Sequence, residues 1–342
     1  MKKRSTADWY HLLCRRREAS QDTLSDFLRK ELLGLAFSPG HWEDSMEVLV
    51  KDSHRSGKAV LLYVDVKAPH ALYACAVVLA VCSWYAGSAS EGGKLGVLFA
   101  AENAEEELWS LNFDYLLGLS FSGKIQIPES VGTPYLLNDA MSELSFDIKG
   151  LTAHGSAPHL GINSLDAAAL AVTAAQMAAG CPGEGYQVFP AFMDTGKGAI
   201  NMIPDHTCLI LRVTGRKEQL GKYTEAVKEA VKQAVLAVGA SIRSLQDQQV
   251  MPAGKCQSGR AFRVLLHYME KYYGREHVVS SGYCMGTDAF HRYQVKHRCD
   301  AAYLGRPILS GNELKICREL STGTNVMTNT VQWLLKEVEE DV

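Results

Sequence analysis

Residues 59–66, Ala-Val-Leu-Leu-Tyr-Val-Asp-Val, form an unbroken apolar run rich in β-branched side chains, and a second run, Leu-Gly-Val-Leu-Phe-Ala, occupies 95–100. Strand side chains alternate sides, so a strand apolar at successive positions is covered on both faces. Between the two lies a stretch at 72–85 that is apolar all round, followed by Gly-rich residues 87–93. That pattern predicts a buried helix. Strand, helix, strand in this order implies a parallel βαβ unit, and residues 113–121 supply a third strand. Before it, Trp9, Leu12, Leu13, Leu24, Phe27, Leu28 and Leu32 recur at helical spacing, interrupted near Ser20.

From about 142 the pattern changes. Leu144, Phe146 and Ile148 alternate with polar residues, a helix is predicted at 164–177, strands at 186–193 and 207–214, and a helix at 219–238. This order suggests an antiparallel sheet with two helices on one face. The expected organisation is therefore a main domain of residues 1–140 plus 250–342, carrying a mixed, mostly parallel sheet flanked by helices. A small α+β domain at 141–249 is inserted into it. After Pro252 the main domain resumes with a helix at 259–273, a strand at 301–304 and a last helix at 326–339.

With 342 residues, 47% of them apolar, the chain has ample material for a buried core. The net charge of −3, from 35 basic and 38 acidic residues well mixed, provides no field that would favour nucleic acid or an anionic membrane. Nine cysteines, an odd number with no Cys-x-x-Cys pair, argue for a reducing compartment and against a disulfide framework. The N-terminal charges have no apolar run behind them, and the longest apolar stretch, at 71–86, is too short to span a bilayer comfortably. A cytoplasmic protein with a small-molecule or protein partner is expected.

Five segments, taken in order, resemble one known family. The run Phe146-Asp-Ile-Lys-Gly-Leu-Thr-Ala-His154-Gly-Ser-Ala-Pro-His159 leads into the 164–177 helix. Arg15-Arg-Arg-Glu-Ala-Ser20 keeps only the Glu and Ser of a His-x-His-Pro-Glu-Leu-Ser signature. Phe113-Asp-Tyr-Leu-Leu-Gly-Leu-Ser120-Phe resembles Val-Asp-Ala-x-Phe-Gly-Leu-His-Val. Gly198-Ala-Ile-Asn201-Met-Ile-Pro-Asp and Cys284-Met-Gly286-Thr-Asp288-Ala-Phe resemble Asn-Val-Ile-Pro-Asp and Met-Gly-Ser-Glu-Asp-Phe. Together they resemble the metal-dependent aminoacylase and carboxypeptidase family, and within it the branch of hippurate hydrolases and auxin-conjugate amidohydrolases.

The resemblance implies two divalent ions sharing a water whose pKa they lower, beside a Glu that acts as general base. The residues that should hold those ions are mostly replaced. The family's Cys-Gly-His-Asp run aligns with Ala68-Pro69-His70-Ala71, which keeps only the His. Its Glu pair aligns with Asn103 and Ala104, although Glu102, or Glu105 and Glu106 after a small insertion, could substitute. Its Gly-Leu-His has become Ser120, and Leu320 stands where a His precedes the last helix. No metal ligand set is therefore expected, His70 being the clear survivor; zinc or another divalent ion would bind weakly or not at all.

The expected catalytic set is His70, Asp65 at the end of its strand, Glu102, Glu105, Glu106 and His154, the family's small-domain His that polarises a substrate carbonyl. Asn201, Ser120, Asp288 and Gly286 are the expected substrate contacts. A turn His, a strand-end polar residue and a loop cap are the structural readings of His154, Asn201 and Asp288, and His159 reads as structural. Cys75 and Cys284, the thiols nearest this set, read as small core residues. Three functions stay open: metal-independent acid–base work on a small N-acyl amino acid-like or peptide-like amide in the cleft between domains, a silent ligand-binding or partner subunit, or a zinc amidohydrolase with rearranged ligands such as His291 or His297. The resemblance also implies a homodimer formed through the small domain.

Overall fold

The computed structural model describes residues 4–19, 23–43, 46–66, 68, 70–88, 91–100, 112–121, 131–132, 136–138, 140–178, 186–196, 198–251, 259–279, 282–284, 290, 300–306 and 311–336. The chain divides into two compact units. One comprises Met1–Leu137, Lys255–Cys284 and Arg292–Val342; the other comprises Asn138–Gly254 with Met285–His291.

The large unit is an α/β layer around an eight-stranded sheet. Its strands are β1 (Ser38–Glu43), β2 (Met46–Asp52), β3 (Ala59–Asp65), β4 (Lys94–Ala100), β5 (Tyr115–Phe121), β6 (Val131–Gly132), β14 (Val278–Val279) and β16 (Asp300–Arg306), in spatial order β1-β2-β4-β3-β5-β16-β6-β14. The central strands β4, β3, β5 and β16 are parallel, while β1 and β2 form an antiparallel hairpin on the β4 edge. That hairpin is absent from the sequence expectation, because Ser38-Pro-Gly-His reads locally as a turn. Separately, β7 (Leu136–Asn138) pairs with β15 (Gly282–Cys284).

The apolar pattern of β3 has the predicted consequence: Ala59 through Val64 are buried and only Asp65, at the C-terminal end, is partly exposed. The helix α3 (Ala71–Gly87) joins β3 to β4 and buries eleven residues spread around its circumference. Among the described residues four further helices belong to this unit: α1 (Thr6–Ala19), α2 (Leu24–Gly34), α6 (Arg260–Tyr273) and α7 (Glu313–Leu334). Trp9 and Leu13 of α1, Val77 and Leu79 of α3, and Val326 and Val331 of α7 share one core with β3, β4, β5 and β16. Each such side chain contributes about 1.5–3 kcal/mol on leaving water. At Gly93, φ is +78° and an added Cβ would meet the Lys58 carbonyl oxygen, which is why the α3–β4 connection needs glycine there.

The last helix begins at Glu313, not at 326. Ser321-Thr-Gly-Thr reads as a helix breaker, yet Asn312 accepts the Lys315 N–H at 2.9 Å as an N-cap and the Leu320 and Met327 side chains are buried. Packing outweighs the local preference, which amounts to about 1 kcal/mol for the glycine.

The small unit is a four-stranded antiparallel sheet in the order β10 (Tyr186–Asp194), β12 (His206–Gly215), β8 (Ala140–Lys149), β13 (Ser241–Met251). Helices α4 (Ser164–Ala178) and α5 (Lys217–Ala237) share one core with the Leu144, Phe146 and Ile148 face of β8 and the Leu209, Leu211 and Val213 face of β12. The strand β13 was not expected: its sequence, Ser-Ile-Arg-Ser-Leu-Gln-Asp-Gln-Gln-Val-Met, is mostly polar and it lies at the sheet edge. A short ribbon of β9 (Ala153–His154) and β11 (Met202–Ile203) completes the unit. Among the described residues no helix is long and apolar enough to cross a membrane.

Candidate functional site

Parallel strands present their C-terminal ends, and the N-termini of the helices that follow, to one edge of the sheet, where α/β folds bind ligands. At this edge β3 ends in Asp65, whose Oδ1 accepts the Ala68 N–H at 3.2 Å and so anchors the turn into α3. His70 is the first residue of that helix's boundary. It has φ +68° and ψ 20°, a left-handed conformation uncommon for residues other than glycine, and its ring makes no capping hydrogen bond. The exposed ring lies 6.0 Å from that of Tyr73, with 5° between the planes. Tyr73 in turn stacks on Tyr10 at 5.6 Å and meets Phe121, the last residue of β5, at 5.3 Å.

Ser120 lies on β5 one residue before its end. The last paired positions of β3 and β5 are Tyr63 and Gly118, so Asp65 and Ser120 stand level, each two residues further on. Leu320 does not precede the last helix but lies within α7, fully buried in the core. Glu102, Glu105, Glu106, Gly286 and Asp288 lie outside the described residues, as do His291 and His297. For Cys284 only the backbone, in β15, is described. Cys75 is fully buried, and burial, reinforced by Asp65, pushes its thiol far above the ordinary range. It is a core residue.

In the small unit, His154 and Asn201 are brought together. The Asn201 amide reaches His154 Nε2 at 3.2 Å, and Ser156 contacts Nδ1 through both its hydroxyl, at 2.8 Å, and its N–H, at 3.2 Å. The cause is the β9–β11 pairing, which sets His154 opposite Met202. All three side chains are exposed. His159 is also exposed, in a short 3-10 turn over Pro158–Leu160.

Sequence reasoning missed two features of the large unit. One is the aromatic set in which Tyr73 joins His70 to Tyr10 and Phe121. The other is a chain of titratable groups: His11 Nδ1 lies 2.9 Å from Glu313 Oε1, and His11 Nε2 lies 3.9 Å from Cys317 Sγ. The only local signal was the four-residue spacing of Glu313 and Cys317, which puts them on one helix face. Tyr10 belongs to the same patch; burial, then a contact with Cys14, raises its hydroxyl well above the usual range.

The fold is shared with solved peptidase and amidohydrolase structures. AtUAH in complex with glyoxylate superposes with a TM-score of 0.72 at 11% identity, over 96% of each chain. A tripeptidase from Staphylococcus aureus gives 0.68 at 14% identity, over 96% of this chain and 99% of that one. The YXEP protein of Bacillus subtilis, described as a dinuclear metal binding peptidase from the M20 family, gives 0.63 at 12% identity, over 95% and 99%. No family model and no curated protein matches the sequence. At these identities the likeness shows a shared fold.

Of the described residues at the strand edge, His70 lies beside the Tyr73 ring, which itself contacts Tyr10 and Phe121, and Asp65 accepts a backbone N–H. Among the described residues no three His, Cys, Asp or Glu side chains could hold a metal ion.

Proposed function

We propose that this chain binds a small amide, of the N-acyl amino acid or peptide type, at the C-terminal edge of the large unit's sheet. It belongs on this reading to the hippurate hydrolase and auxin-conjugate amidohydrolase branch, with most metal ligands lost, so that its chemistry is acid–base work by its own side chains. The observation that carries the reading is the pairing of Asp65 and His70 on either side of one turn, at the N-terminus of α3, in a fold whose relatives are described as peptidases. A helix N-terminus favours an anionic group, such as the carboxylate of an N-acyl amino acid. His70, solvent-exposed and beside that terminus, is placed to exchange a proton with a bound amide. Tyr73, half-buried beside His70, offers apolar surface to its acyl part.

His154 and Asn201 are assigned to the carbonyl of the same class of substrate, and Ser120, Gly286 and Asp288 to its other contacts. Glu102, Glu105 and Glu106 are the carboxylates assigned to general-base work. The test is turnover of an N-acyl amino acid panel with and without chelator. Turnover that survives chelation and is lost in His70→Gln is expected. Two tightly bound zinc ions per chain overturn the reading.

A second reading, a catalytically silent partner subunit, is favoured by the small unit's surface. Edge strand β10 exposes Phe189, Phe192 and Met193, and α4 exposes Leu165, Leu170 and Met177. Exposed apolar edge strands invite pairing with another chain. A homodimer formed through this face is proposed under either reading.

A further inference from the structure

Three side chains from α1 and α7 stand in series. Glu313 and Cys317 lie one turn apart on α7, and His11 on α1 faces both: Nδ1 to the carboxylate at 2.9 Å, Nε2 to the sulfur at 3.9 Å. Thiol, imidazole, carboxylate in that order meets the requirement of a sulfur nucleophile, a base within reach of the S–H and an acceptor that orients the base. Glu313 accepts the Nδ1 proton, which leaves the Nε2 lone pair directed at Cys317. The S···N distance is long, as such contacts are before substrate closes them. Cys317 and His11 are partly exposed, so a substrate can reach them, whereas Cys75 and Cys82 are sealed in the core. Burial, then Glu313 and Cys14, hold the Cys317 thiol above its ordinary range. It rests as S–H at neutral pH and reacts only with help from a base.

We propose that Cys317 is an acyl acceptor, with His11 as its base and Glu313 as the residue that orients His11, and that it takes the acyl group of an activated ester or thioester. Sγ attacks the carbonyl carbon as the S–H proton passes to His11 Nε2. The S–C bond forms, the bond from the acyl carbon to the leaving oxygen or sulfur breaks, and the leaving group departs with the proton from His11. This site does not depend on the role given to His70, so either assignment can fail alone.

The test is acetylation of the full-length protein by p-nitrophenyl acetate near neutral pH, followed cysteine by cysteine by peptide mass spectrometry. Cys317 is expected to react at least about tenfold faster than Cys14 and Cys208, which are also partly exposed. His11→Gln is expected to remove that advantage while Cys14, three residues along α1, keeps its rate; Glu313→Gln slows Cys317 a few-fold. Equal rates at the three cysteines overturn the proposal, and so does an unchanged Cys317 rate in His11→Gln. A parallel change at Cys14 in that variant also overturns it, because His11 would then act through packing alone.

Discussion

Asn201 reaches Nε2 of His154 at 3.2 Å across 47 residues of sequence, while Nδ1 of the same ring faces the N–H and hydroxyl of Ser156. The Asn201 amide nitrogen donates to Nε2, so a neutral ring carries its proton on Nδ1, where the Ser156 hydroxyl accepts it. Nitrogen-15 NMR is expected to show His154 as the Nδ1–H tautomer. Asn201→Leu is expected to shift that ring's signals and leave the backbone spectrum of the small unit unchanged; a ring protonated on Nε2 contradicts the arrangement.

The left-handed backbone at His70 costs about 1–2 kcal/mol for any residue with a side chain. His70→Gly removes that strain and is expected to raise the urea midpoint, while abolishing turnover of any N-acyl substrate. A variant that loses both stability and turnover would show the turn to be held by the His side chain itself.

Leu320 is fully buried within α7. Leu320→His places a polar ring in a packed core and is expected to cost about 3 kcal/mol. Equilibrium unfolding measures the loss, and metal analysis is expected to show no gain in bound zinc.

Three carboxylates sit below their ordinary value of 3.8: Asp8 through the Ser5 N–H and hydroxyl, Asp26 through the Thr23 hydroxyl and N–H, and Asp52 through the His54 N–H. A carboxylate with a depressed folded-state pKa stabilises the fold above its unfolded value. That contribution is lost as pH falls through the lower folded value. Stability is therefore expected to hold down to about pH 4 and to decline below it. Thr23→Ala removes the hydroxyl of the capping box and is expected to flatten the acid limb of urea midpoints measured against pH.

Phe192, 50% exposed on edge strand β10, lies on the surface proposed to pair with a second copy. Light scattering is expected to report a dimer for the native chain and a monomer for Phe192→Glu. A native monomer defeats this assignment without touching either proposed site.

What could be read in advance was whatever the chain repeats locally. The double-sided apolar runs of β3 and β4 require a covered sheet, and the all-round apolar α3 between them makes the connection parallel. The alternation of Leu144, Phe146 and Ile148 selects the buried face of β8, because strand side chains switch sides at every residue. Elements whose local preferences point elsewhere were not legible. The β1 hairpin begins as a turn sequence, β13 carries few apolar side chains, and the first half of α7 contains Ser-Thr-Gly-Thr; pairing and burial by distant segments decide all three.

The candidate sites divide in the same way. Asp65 and His70 flank one turn and could be found by reading along the chain. The stack of Tyr10 on Tyr73, the meeting of His154 with Asn201, and the approach of His11 to a cysteine 306 residues away could not. Local sequence sets backbone preference and the face that seeks burial, whereas side chains far apart in the chain converge only once sheet order and helix packing have closed the loops between them.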